Sequence, residues 1–404
     1  MITVEASSAT ILNLPRLLYI GDVAVESTTG GSALLYRLLQ NYPSDRLCIV
    51  EGNITKSQAD QRLPKVAYET ISVGSNRLLH SRFVLPYRSC LYLSARWRSR
   101  QLSKLIETFQ PDAILTVAHG FSWLTAAELG AQHKLPLHFI VHDDWPSHTV
   151  VMHQLRNLAD KDFGTVYRQA RSRLCVSPYM MESYQKQYGV TGNVLYPSRA
   201  VDVPEFSQPA EKTGRNSTSL VFAYAGSIHI KGYAESLVSL ASILEAAGHR
   251  LVIYSGLTQS SIQHLGLDKP NVVVYPMVPS QQLIHTLRKD ADVLFVPMDF
   301  DQEYRSNMEI SFPSKLTDYT AIGLPLLIWG PSYCSAIRWA QDNPGVAEIV
   351  EKNEISALAD SVKKLSENPK YRLQLATNAL TKGVEYFSHA KVIEQFYQVI
   401  TQLS

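Results

Sequence analysis

The sequence is poor in cysteine, has almost no excess charge of either sign and contains no long uninterrupted apolar run. Its four cysteines, Cys48, Cys90, Cys175 and Cys334, lie far apart, with no CxxC pair and no histidine at metal-ligand spacing. This spacing gives no sign of a metal site. It predicts reduced thiols in the core of a cytoplasmic protein.

The charges nearly cancel, because 38 Lys and Arg against 36 Asp and Glu leave a net charge of +2. Proteins that bind the phosphate backbone of nucleic acids usually carry a marked basic excess, so a dedicated nucleic-acid binder is disfavoured. With 45% hydrophobic and 18% charged residues, the chain is too apolar for a disordered protein. We expect a globular protein.

No segment has the pattern of a membrane anchor or a targeting signal. The longest uncharged run, Tyr319–Ile337, is interrupted by two glycines and two prolines, which predicts a helix, a strand and a turn. The first residues include Glu5, where a signal peptide has a basic region. We therefore expect a cytoplasmic chain without a membrane span.

Short apolar segments alternate with longer amphipathic ones, which favours parallel sheets covered by helices. In the first half, strands are predicted at Leu17–Ile20, Leu47–Val50, Val66–Val73, Ala113–Val117, Leu137–His142 and Leu174–Ser177. Helices are predicted there at Ser32–Gln40, Leu91–Phe109, Trp123–His133 and Pro178–Tyr188. In the second half, a helix is predicted at Tyr233–Ala247, and strands at Leu220–Ala225, Arg250–Tyr254, Val272–Tyr275, Val293–Val296 and Leu326–Trp329.

A chain of 404 residues suits two domains. The polar segment Val201–Ser219 contains Pro and Gly but no periodicity, and predicts a linker between residues 1–200 and residues 220–385. The last helix, residues 386–404, has apolar positions at helical spacing. It either packs on its own domain or crosses back to complete the first one.

The most informative segment, Phe312–Pro325, reads FPSKLTDYTAIGLP and predicts a loop, a helix and then a buried strand. Pro313, Ser314 and Lys315 fall at the helix start, where free N–H groups and the helix dipole form an anion site and the lysine adds a full charge. Asp318, about one turn in, can accept hydrogen bonds from a ribose. Alternatively the serine is an ordinary cap and the lysine a solvated charge, but the spacing of the set favours the anion site.

This segment, continued as FPSKLTDYTAIGLPLLIWG, resembles the signature helix of retaining glycosyltransferases of family 4, where a Phe-containing loop precedes a helix ending in an acidic residue, Ala, Gly and Pro. Ala225–Gly232 is similar to the first strand and phosphate loop of the family's nucleotide domain. Tyr275–Leu283, followed by Ala291–Pro297, is similar to its base-binding turn, short helix and next strand. Gly30 and Gly31 are similar to its glycine loop after the first strand.

The resemblance implies the α/β GT-B fold, with two Rossmann-like domains whose parallel sheets face each other across a cleft for the nucleotide sugar. The implied activity is transfer of a sugar from a UDP- or GDP-linked donor, with retention and without a metal or another cofactor. Glycan, lipid-linked and small-molecule acceptors, in polysaccharide, glycan or glycolipid synthesis, all fit the family. The implied donor-binding residues are Gly30, Gly31, Gly226, Ser227, Lys231, Val278, Phe312, Pro313, Ser314, Lys315 and Asp318.

The sequence departs from the family pattern at two places. Eight positions before the acidic residue of the signature helix, the family has a second acidic residue, and here that position is Ile310, with Glu309 beside it. Either the loop shifts so that Glu309 serves, or the sugar is held differently. In the phosphate loop, which is one residue shorter than usual, the Arg that usually follows the glycine is Ser227, and this leaves Lys231 and Lys315 as phosphate cations.

These departures keep two alternatives to a glycosyltransferase open. One is a glycosyltransferase-like subunit without turnover that serves as a binding or scaffolding partner. The other is a nucleotide-sugar epimerase on the same fold. A dinucleotide oxidoreductase is disfavoured, since neither half contains GxGxxG after a strand.

Two histidines of the N-terminal half lie at or just after the ends of predicted strands, at the position where ligands gather in open α/β sheets. His119 matches a family histidine that contacts the donor sugar, and with Glu309 it forms the candidate catalytic pair. His142 lies at the end of the next predicted strand and is followed by Asp143 and Asp144. This trio suits metal binding or base catalysis as well as it suits a turn cap beside a structural histidine.

Seven basic residues and no acidic residue lie between Arg77 and Lys104, interleaved with Leu, Phe, Tyr and Trp. Most such runs are solvated helix faces. The local charge nevertheless favours an interfacial helix on an anionic membrane surface, or a pocket for a phosphate-bearing acceptor. The candidate residues of this surface are Arg88, Arg96, Arg98 and Arg100.

Overall fold

The computed structural model of the protein describes residues 14–402, apart from residues 29, 217 and 229 and the side chain of Ser280. Some features of the sequence therefore lie outside the described residues: Glu5, His229 in the phosphate loop, and residues 403–404 of the predicted last helix. Within the described part of the chain, no helix is both long and apolar enough to cross a membrane.

The chain folds into two compact units, the first comprising described residues 14–198 and 389–402 and the second residues 199–388. The strands of the first unit are β1 (Leu17–Gly21), β2 (Leu47–Gly52), β3 (Ala67–Ile71), β4 (Ala113–Val117), β5 (Leu137–Val141), β6 (Ser172–Cys175) and β7 (Asn193–Val194). Its helices up to residue 198 are α1 (Gly30–Leu39), α2 (Asn76–Leu79), α3 (Val84–Ser94), α4 (Ser103–Phe109), α5 (Ser122–His133), α6 (Trp145–His148), α7 (His153–Gln169) and α8 (Pro178–Tyr188).

The second unit has its own strands, β8 (Val221–Ala225), β9 (Arg250–Tyr254), β10 (Val272–Tyr275), β11 (Val293–Pro297), β12 (Leu326–Trp329) and β13 (Glu348–Val350). Its helices are α9 (Lys231–Ala246), α10 (Gln259–His264), α11 (Ser280–Asp290), α12 (Arg305–Ile310), α13 (Lys315–Ile322), α14 (Ser335–Asp342), α15 (Ile355–Glu367) and α16 (Pro369–Phe387). A last helix, α17 (His389–Thr401), returns to the first unit.

Both units contain a parallel sheet in which the order of the strands reverses next to the first strand. The order is β3-β2-β1-β4-β5-β6-β7 in the first unit and β10-β9-β8-β11-β12-β13 in the second. In the first sheet Leu17 pairs with both Leu47 and Ala113, so β1 and β4 are neighbours. Ligands of such sheets bind where the order reverses, at the carboxyl ends of the strands.

The central strands are continuous apolar runs because helices cover both faces of each sheet. Every residue of β1, β2, β4 and β5 is buried, and so is every residue of β11 and β12. Such short apolar runs are the pattern from which the strands were predicted. The predicted doubly wound sheets are confirmed.

The apolar face of α17 joins the core of the first unit. The contributing residues are Val392, Ile393, Phe396, Tyr397 and Ile400. Tyr397 packs edge-on against Tyr42 with ring centroids 5.9 Å apart. Of the two placements left open for the last helix, the structure shows the return to the first unit.

The described residues of Val201–Ser219 lie within the second unit. They contain a 3₁₀ turn at Glu211–Gly214, and the N–H of Ala210 donates to the carbonyl of Gly323 at 2.8 Å. The guanidinium of Arg288 donates to two further carbonyls of this segment, at 3.0 and 3.2 Å. The segment is therefore tied to the second unit by backbone hydrogen bonds.

The prediction of one helix over Leu91–Phe109 is wrong. Helix α3 ends at Ser94, and a 3₁₀ segment over Arg96–Leu102 leads into α4. The cause is Arg98, whose guanidinium donates to the carbonyl of Leu91 at 2.6 Å. A continued α-helix would use that carbonyl for the N–H of residue 95, which instead bonds to the carbonyl of residue 92.

Candidate active site

In the second unit, the glycine loop after β8 meets the start of α13. The hydroxyl of Tyr319 in α13 accepts a hydrogen bond of 2.6 Å from the N–H of Ala225, the last residue of β8. Gly226 follows with φ +144°, and a Cβ at this position would lie 3.4 Å from the Lys315 side chain. The two motifs that the sequence analysis assigned to phosphate binding are therefore brought together.

Lys315 holds its charge without a carboxylate partner among the described residues. Its ammonium donates to the hydroxyl of Tyr224 at 3.2 Å and lies 4.5 Å from that ring and 5.3 Å from the ring of Tyr233. Desolvation by burial lowers the pKa of Lys315 to about 8. A half-buried cation that lacks a counter-ion is suited to an anionic ligand.

The backbone around Ser314 adds further donors to this place. The N–H groups of Leu316 and Thr317 are used by the carbonyls of Pro313 and Ser314. The N–H groups of Ser314 and Lys315 bond to no described residue, and the Ser314 side chain makes no capping hydrogen bond. These free donors lie at the positive end of the eight-residue helix α13.

Other predicted donor-binding residues lie nearby in the chain, with different surroundings. Lys231 is the first residue of α9, and its exposed ammonium pairs with Glu235 at 3.2 Å. The carbonyl of Ser227 accepts from the hydroxyl of Tyr224 at 2.7 Å, which shapes the phosphate loop. Asp318 lies half-buried in the first turn of α13, and Val278 lies half-buried in the loop between β10 and α11.

The loop before α13 is anchored by its aromatic residue. Phe312 is 7% exposed and packs against the rings of Trp339 and Phe387, with centroids 6.2 and 5.6 Å away. Ile310 is buried as well, whereas the side chain of Glu309 is 45% exposed and pairs with Arg305 of the same helix at 3.9 Å. Of these two neighbouring positions, only Glu309 presents a carboxylate to solvent.

The first unit has a pocket of about 450 Å³ at the carboxyl ends of β1, β4 and β5. The side chains and backbone that line it include Asp22, Gly31, Lys56, His119, His142 and Asp143. These residues come from five different loops or helix starts, and the pocket lies where the strand order reverses. The two histidine-containing segments singled out in the sequence therefore share one site.

His142 and His119 are close enough for their charges to interact. Burial lowers the pKa of His142, the negative charge of Asp143 opposes that shift, and the charge of His119 adds to it. The lowered pKa favours the uncharged imidazole of His142 at neutral pH. Asp144 differs from its neighbour, since it is buried and accepts hydrogen bonds from the hydroxyls of Tyr184 and residue 147.

The glycine pair after β1 begins helix α1. Gly30 has φ +58° with open space where a Cβ would lie, and a Cβ at Gly31 would lie 3.5 Å from the Val23 side chain. Within the described residues, no group of three or more His, Cys, Asp or Glu side chains is placed to hold a metal ion.

Three carboxylates near the carboxyl ends of strands were not singled out in the sequence, and two of them, Glu51 and Asp299, are buried. Glu51 accepts from the N–H groups of Val25 and Ser57, each at 2.9 Å, and so ties together the loops after β1 and β2. Asp22 lies at the end of β1, and Asp299 follows β11, 3% exposed and with one oxygen lacking a described partner. Each acid ends an apolar run in the sequence, and this is the signal that would have found them.

The basic segment over Arg77–Lys104 is only partly a surface. The placement of Arg98 on it is wrong, because Arg98 is 6% exposed and donates its hydrogen bonds to the end of α3. The guanidinium of Arg96 forms an ion pair with the carboxylate of Asp162 in α7, with an N–O distance of 2.8 Å. This partner lies outside the basic segment, so the local sequence does not reveal it. Arg100 is exposed and Arg88 half-buried.

Exposed apolar side chains accompany the remaining basic residues. They are Leu78, Phe83, Leu85, Leu93 and Trp97, with the Trp97 side chain 71% exposed. Cys90 of α3 is also exposed, so its placement in the core is wrong, whereas the other three cysteines are buried as predicted. We call Leu78, Phe83, Leu85, Leu93 and Trp97 the apolar patch of the first unit.

Residues 58–203, which include both histidines of the pocket, match the family model described as Glycosyltransferase Family 4. This part of the chain is therefore similar to a glycosyltransferase family 4 domain. The family recognised from the sequence motifs, and the glycosyltransferase class that it implies, are thereby confirmed. No curated protein sequence matches the chain.

Several solved structures share the GT-B fold of this chain. HepE of Anabaena, in complex with UDP and glucose, has a TM-score of 0.67 at 13% identity, covering 96% of this chain and 100% of that one. Sucrose-phosphate synthase of Thermosynechococcus elongatus has a TM-score of 0.64 at 12% identity, with 96% and 98% covered. The lipopolysaccharide outer core galactosyltransferase WaaB has 0.60 at 16%, with 95% and 98% covered. The predicted fold class is confirmed.

Proposed function

We propose that the protein transfers a sugar from a UDP-linked donor to an acceptor, with retention of anomeric configuration and without a metal ion. The observation that carries this proposal is the half-buried ammonium of Lys315, which has no described carboxylate partner and lies beside free N–H groups. HepE, which shares the fold, binds UDP and glucose. That similarity supports UDP over GDP as the nucleotide.

The candidate residues of the second unit each have a proposed role in binding the donor. The ammonium of Lys315 and the N–H of Ser314 bind the diphosphate, with Gly226 and Pro313 shaping the approach and Ser227 and Lys231 at its margin. Asp318 accepts from the ribose, and the backbone near Val278 meets the base. Glu309 is the candidate for orienting the sugar, because its partly exposed side chain offers a carboxylate whereas Ile310 is apolar and buried. Phe312 holds the loop in place from the core.

In the first unit, the proposed donor contacts are Gly30, Gly31 and His119. Gly31 and His119 line the same pocket, and the positive φ of Gly30 opens the turn before α1. His142 and Asp143 line this pocket too. A neutral imidazole there can accept the proton of an acceptor hydroxyl as the new bond forms.

The proposed chemistry is electrostatic. When the bond between the sugar and the diphosphate breaks, negative charge grows on the leaving phosphate oxygen. Lys315 and the start of α13 are already aimed at that place, so they stabilise the charge without reorganisation. This preorganised positive charge is the reason to propose a transfer that needs no metal.

The acceptor is proposed to lie at a membrane surface, as a lipid-linked glycan or glycolipid precursor, on the cytoplasmic side. The support is the apolar patch together with exposed Arg100 and half-buried Arg88. Aromatic and leucine side chains beside arginines are typical of interfacial contacts with anionic lipids. Flotation with vesicles containing anionic lipid, compared for wild type and Trp97→Ser with Arg100→Glu, tests it, and equal binding would refute it.

The experiment for the transfer itself uses a panel of radiolabelled UDP- and GDP-sugars in the presence of EDTA. We expect sugar transfer or slow donor hydrolysis with at least one UDP-sugar, and a product whose anomeric configuration by NMR matches the donor. An altered sugar on an intact nucleotide would instead identify an epimerase. Nucleotide binding without any turnover would identify a binding subunit, and no nucleotide binding at millimolar concentration would contradict the proposal.

A further inference from the structure

A partly buried hydrogen-bond network surrounds the backbone that follows His119. Three bonds end on the carboxylate of Asp22, which follows β1. Oδ2 accepts from the N–H of Phe121 at 2.7 Å and from the N–H of Ser122 at 2.8 Å, and Oδ1 accepts from the Ser122 hydroxyl at 2.6 Å. A single carboxylate therefore caps the start of α5 from a distant part of the chain.

Gly120 lies between His119 and the capped start of α5. Because it has no side chain, it leaves room for the carboxylate of Asp22. Its φ is +52°, and a Cβ at Gly120 would lie 2.2 Å from Oδ2 of Asp22, a distance that no side chain tolerates. The carbonyl of Gly120 accepts from the indole N–H groups of Trp123 at 3.1 Å and Trp145 at 3.0 Å. The peptide group between Gly120 and Phe121 is thus held at both its polar atoms, the N–H by Asp22 and the carbonyl by the two indoles.

Arg98 supplies the matching positive charge. It is 6% exposed, and its guanidinium is tied to the end of α3. Burial lowers the pKa of Arg98, and the negative charge of Asp22 opposes that shift, so the two charges lie close enough to stabilise each other.

We infer that Asp22 is a positioning residue, which fixes the loop of residues 118–121 and thereby holds His119 in the pocket of the first unit. Asp22 itself lines that pocket, but all three of its bonds go to the loop and α5. Its role is to hold the histidine in place. This inference rests on the proposed function for its effect on rate, and on the geometry alone for its effect on His119.

The test compares Asp22→Asn with Asp112→Asn in the full chain. The amide keeps the size of the carboxylate but cannot accept on its nitrogen, so at least one bond to the loop is lost. Asp112 is a matched control, since its Oδ2 likewise accepts from a backbone N–H, that of Arg16 at 2.7 Å, and it does not line the pocket. Ser122→Ala, which removes only the hydroxyl bond, serves as a milder variant if Asp22→Asn fails to fold.

We expect Asp22→Asn to shift the imidazole resonances of His119 in histidine-labelled protein and to lower kcat roughly 10- to 100-fold, because small displacements of a reacting group cost that much. Asp112→Asn should do neither. UDP affinity, which depends on the second unit, should stay within about twofold of wild type. Unmoved His119 resonances in both Asp22→Asn and Ser122→Ala would overturn the inference. Absence of UDP binding in wild type would overturn the proposed function alone.

Discussion

The two units share the order of their central strands and, at those strands, the same two devices. Tyr19 of β1 donates through its hydroxyl to the carbonyl of Val23 at 2.7 Å, and Tyr224 of β8 donates to the carbonyl of Ser227 at 2.7 Å. Each tyrosine fastens the loop that follows its own strand. The first strand of each sheet therefore carries a side chain that shapes its ligand loop.

The second shared feature is a carboxylate in close contact with a glycine. In the first unit Asp22, after the first strand, meets Gly120 beyond the fourth. In the second unit the direction is reversed, since Asp299, after the fourth strand, meets Gly232 beyond the first, where a Cβ would lie 2.3 Å from its oxygen. In each unit the carboxylate lies between the segments that follow the first and the fourth strand, and in the first unit it also joins them by hydrogen bonds.

The chemistry at the two places nevertheless differs. The first unit puts histidines and carboxylates around a pocket, whereas the second puts Lys315 and free N–H groups beside a glycine loop. The comparison teaches that topology determines where a ligand site lies, and that the side chains of a few loops determine which ligand it takes.

The largest effect on stability is expected from substitutions at the glycines that lie against Asp22 and Asp299. Gly120→Ala combines a left-handed backbone with a clash against Asp22, and should lower the free energy of unfolding by about 2–5 kcal/mol. Gly232→Ala has only the clash with Asp299 and should cost about 1–3 kcal/mol. Gly248→Ala, with φ +72° but open space, is the control, at about 1 kcal/mol. Urea denaturation of the three variants measures these costs, and equal values would break the comparison.

Lys315→Ala should weaken UDP binding by about 10- to 100-fold, because a hydrogen bond to a charged group contributes about 1.5–3 kcal/mol. Lys363→Ala, which removes an exposed lysine of α15, is the matched control and should leave the affinity unchanged. His119→Ala, in the first unit, should change it by less than about twofold. Isothermal titration measures all three, and the same loss in Lys363→Ala would show that net charge alone matters.

The pH dependence of UDP binding sharpens the assignment further. Burial lowers the pKa of Lys315 to about 8, so the free protein carries this charge below pH 8 and loses it above. UDP affinity should therefore fall about tenfold from pH 7 to pH 9, and binding near pH 8 should take up protons. The trend should be absent from Lys315→Ala, and persistence there would assign it to another group.

Lys231→Ala should have the smallest effect, a loss of UDP affinity of about threefold or less. The ammonium of Lys231 is exposed and already paired with Glu235, and exposed ion pairs contribute little. Titration beside Lys315→Ala gives the ranking of the two lysines. A larger loss in Lys231→Ala than in Lys315→Ala would reverse the roles given to them.

Much of the fold was predictable because buried parallel strands are short apolar runs between turn residues. The predicted bounds of β4, β9, β10, β12 and α8 agree with the structure residue for residue. Helix α7 was not predicted, since most of its surface is polar and only a narrow apolar face, including Phe163, is buried. Strands β7 and β13 were missed because they are only two and three residues long.

The candidate site was predictable only where its residues are close in the sequence. Ser314, Lys315 and Asp318 lie in one segment, so their joint placement could be read locally. Asp22 and the N–H groups that it caps are 99 and 100 positions apart, and Arg96 meets Asp162 only through the packing of α7. Such partners depend on tertiary structure, which local patterns do not contain.

Hydrogen exchange of the wild-type protein with and without saturating UDP tests the central claim most directly, because it locates the nucleotide on the chain. The account predicts slower exchange of the backbone N–H groups in residues 225–235 and 312–320, with exchange around the apolar patch of the first unit unchanged. Slower exchange elsewhere with these two segments unaffected would contradict the assignment of the nucleotide to Lys315 and the start of α13.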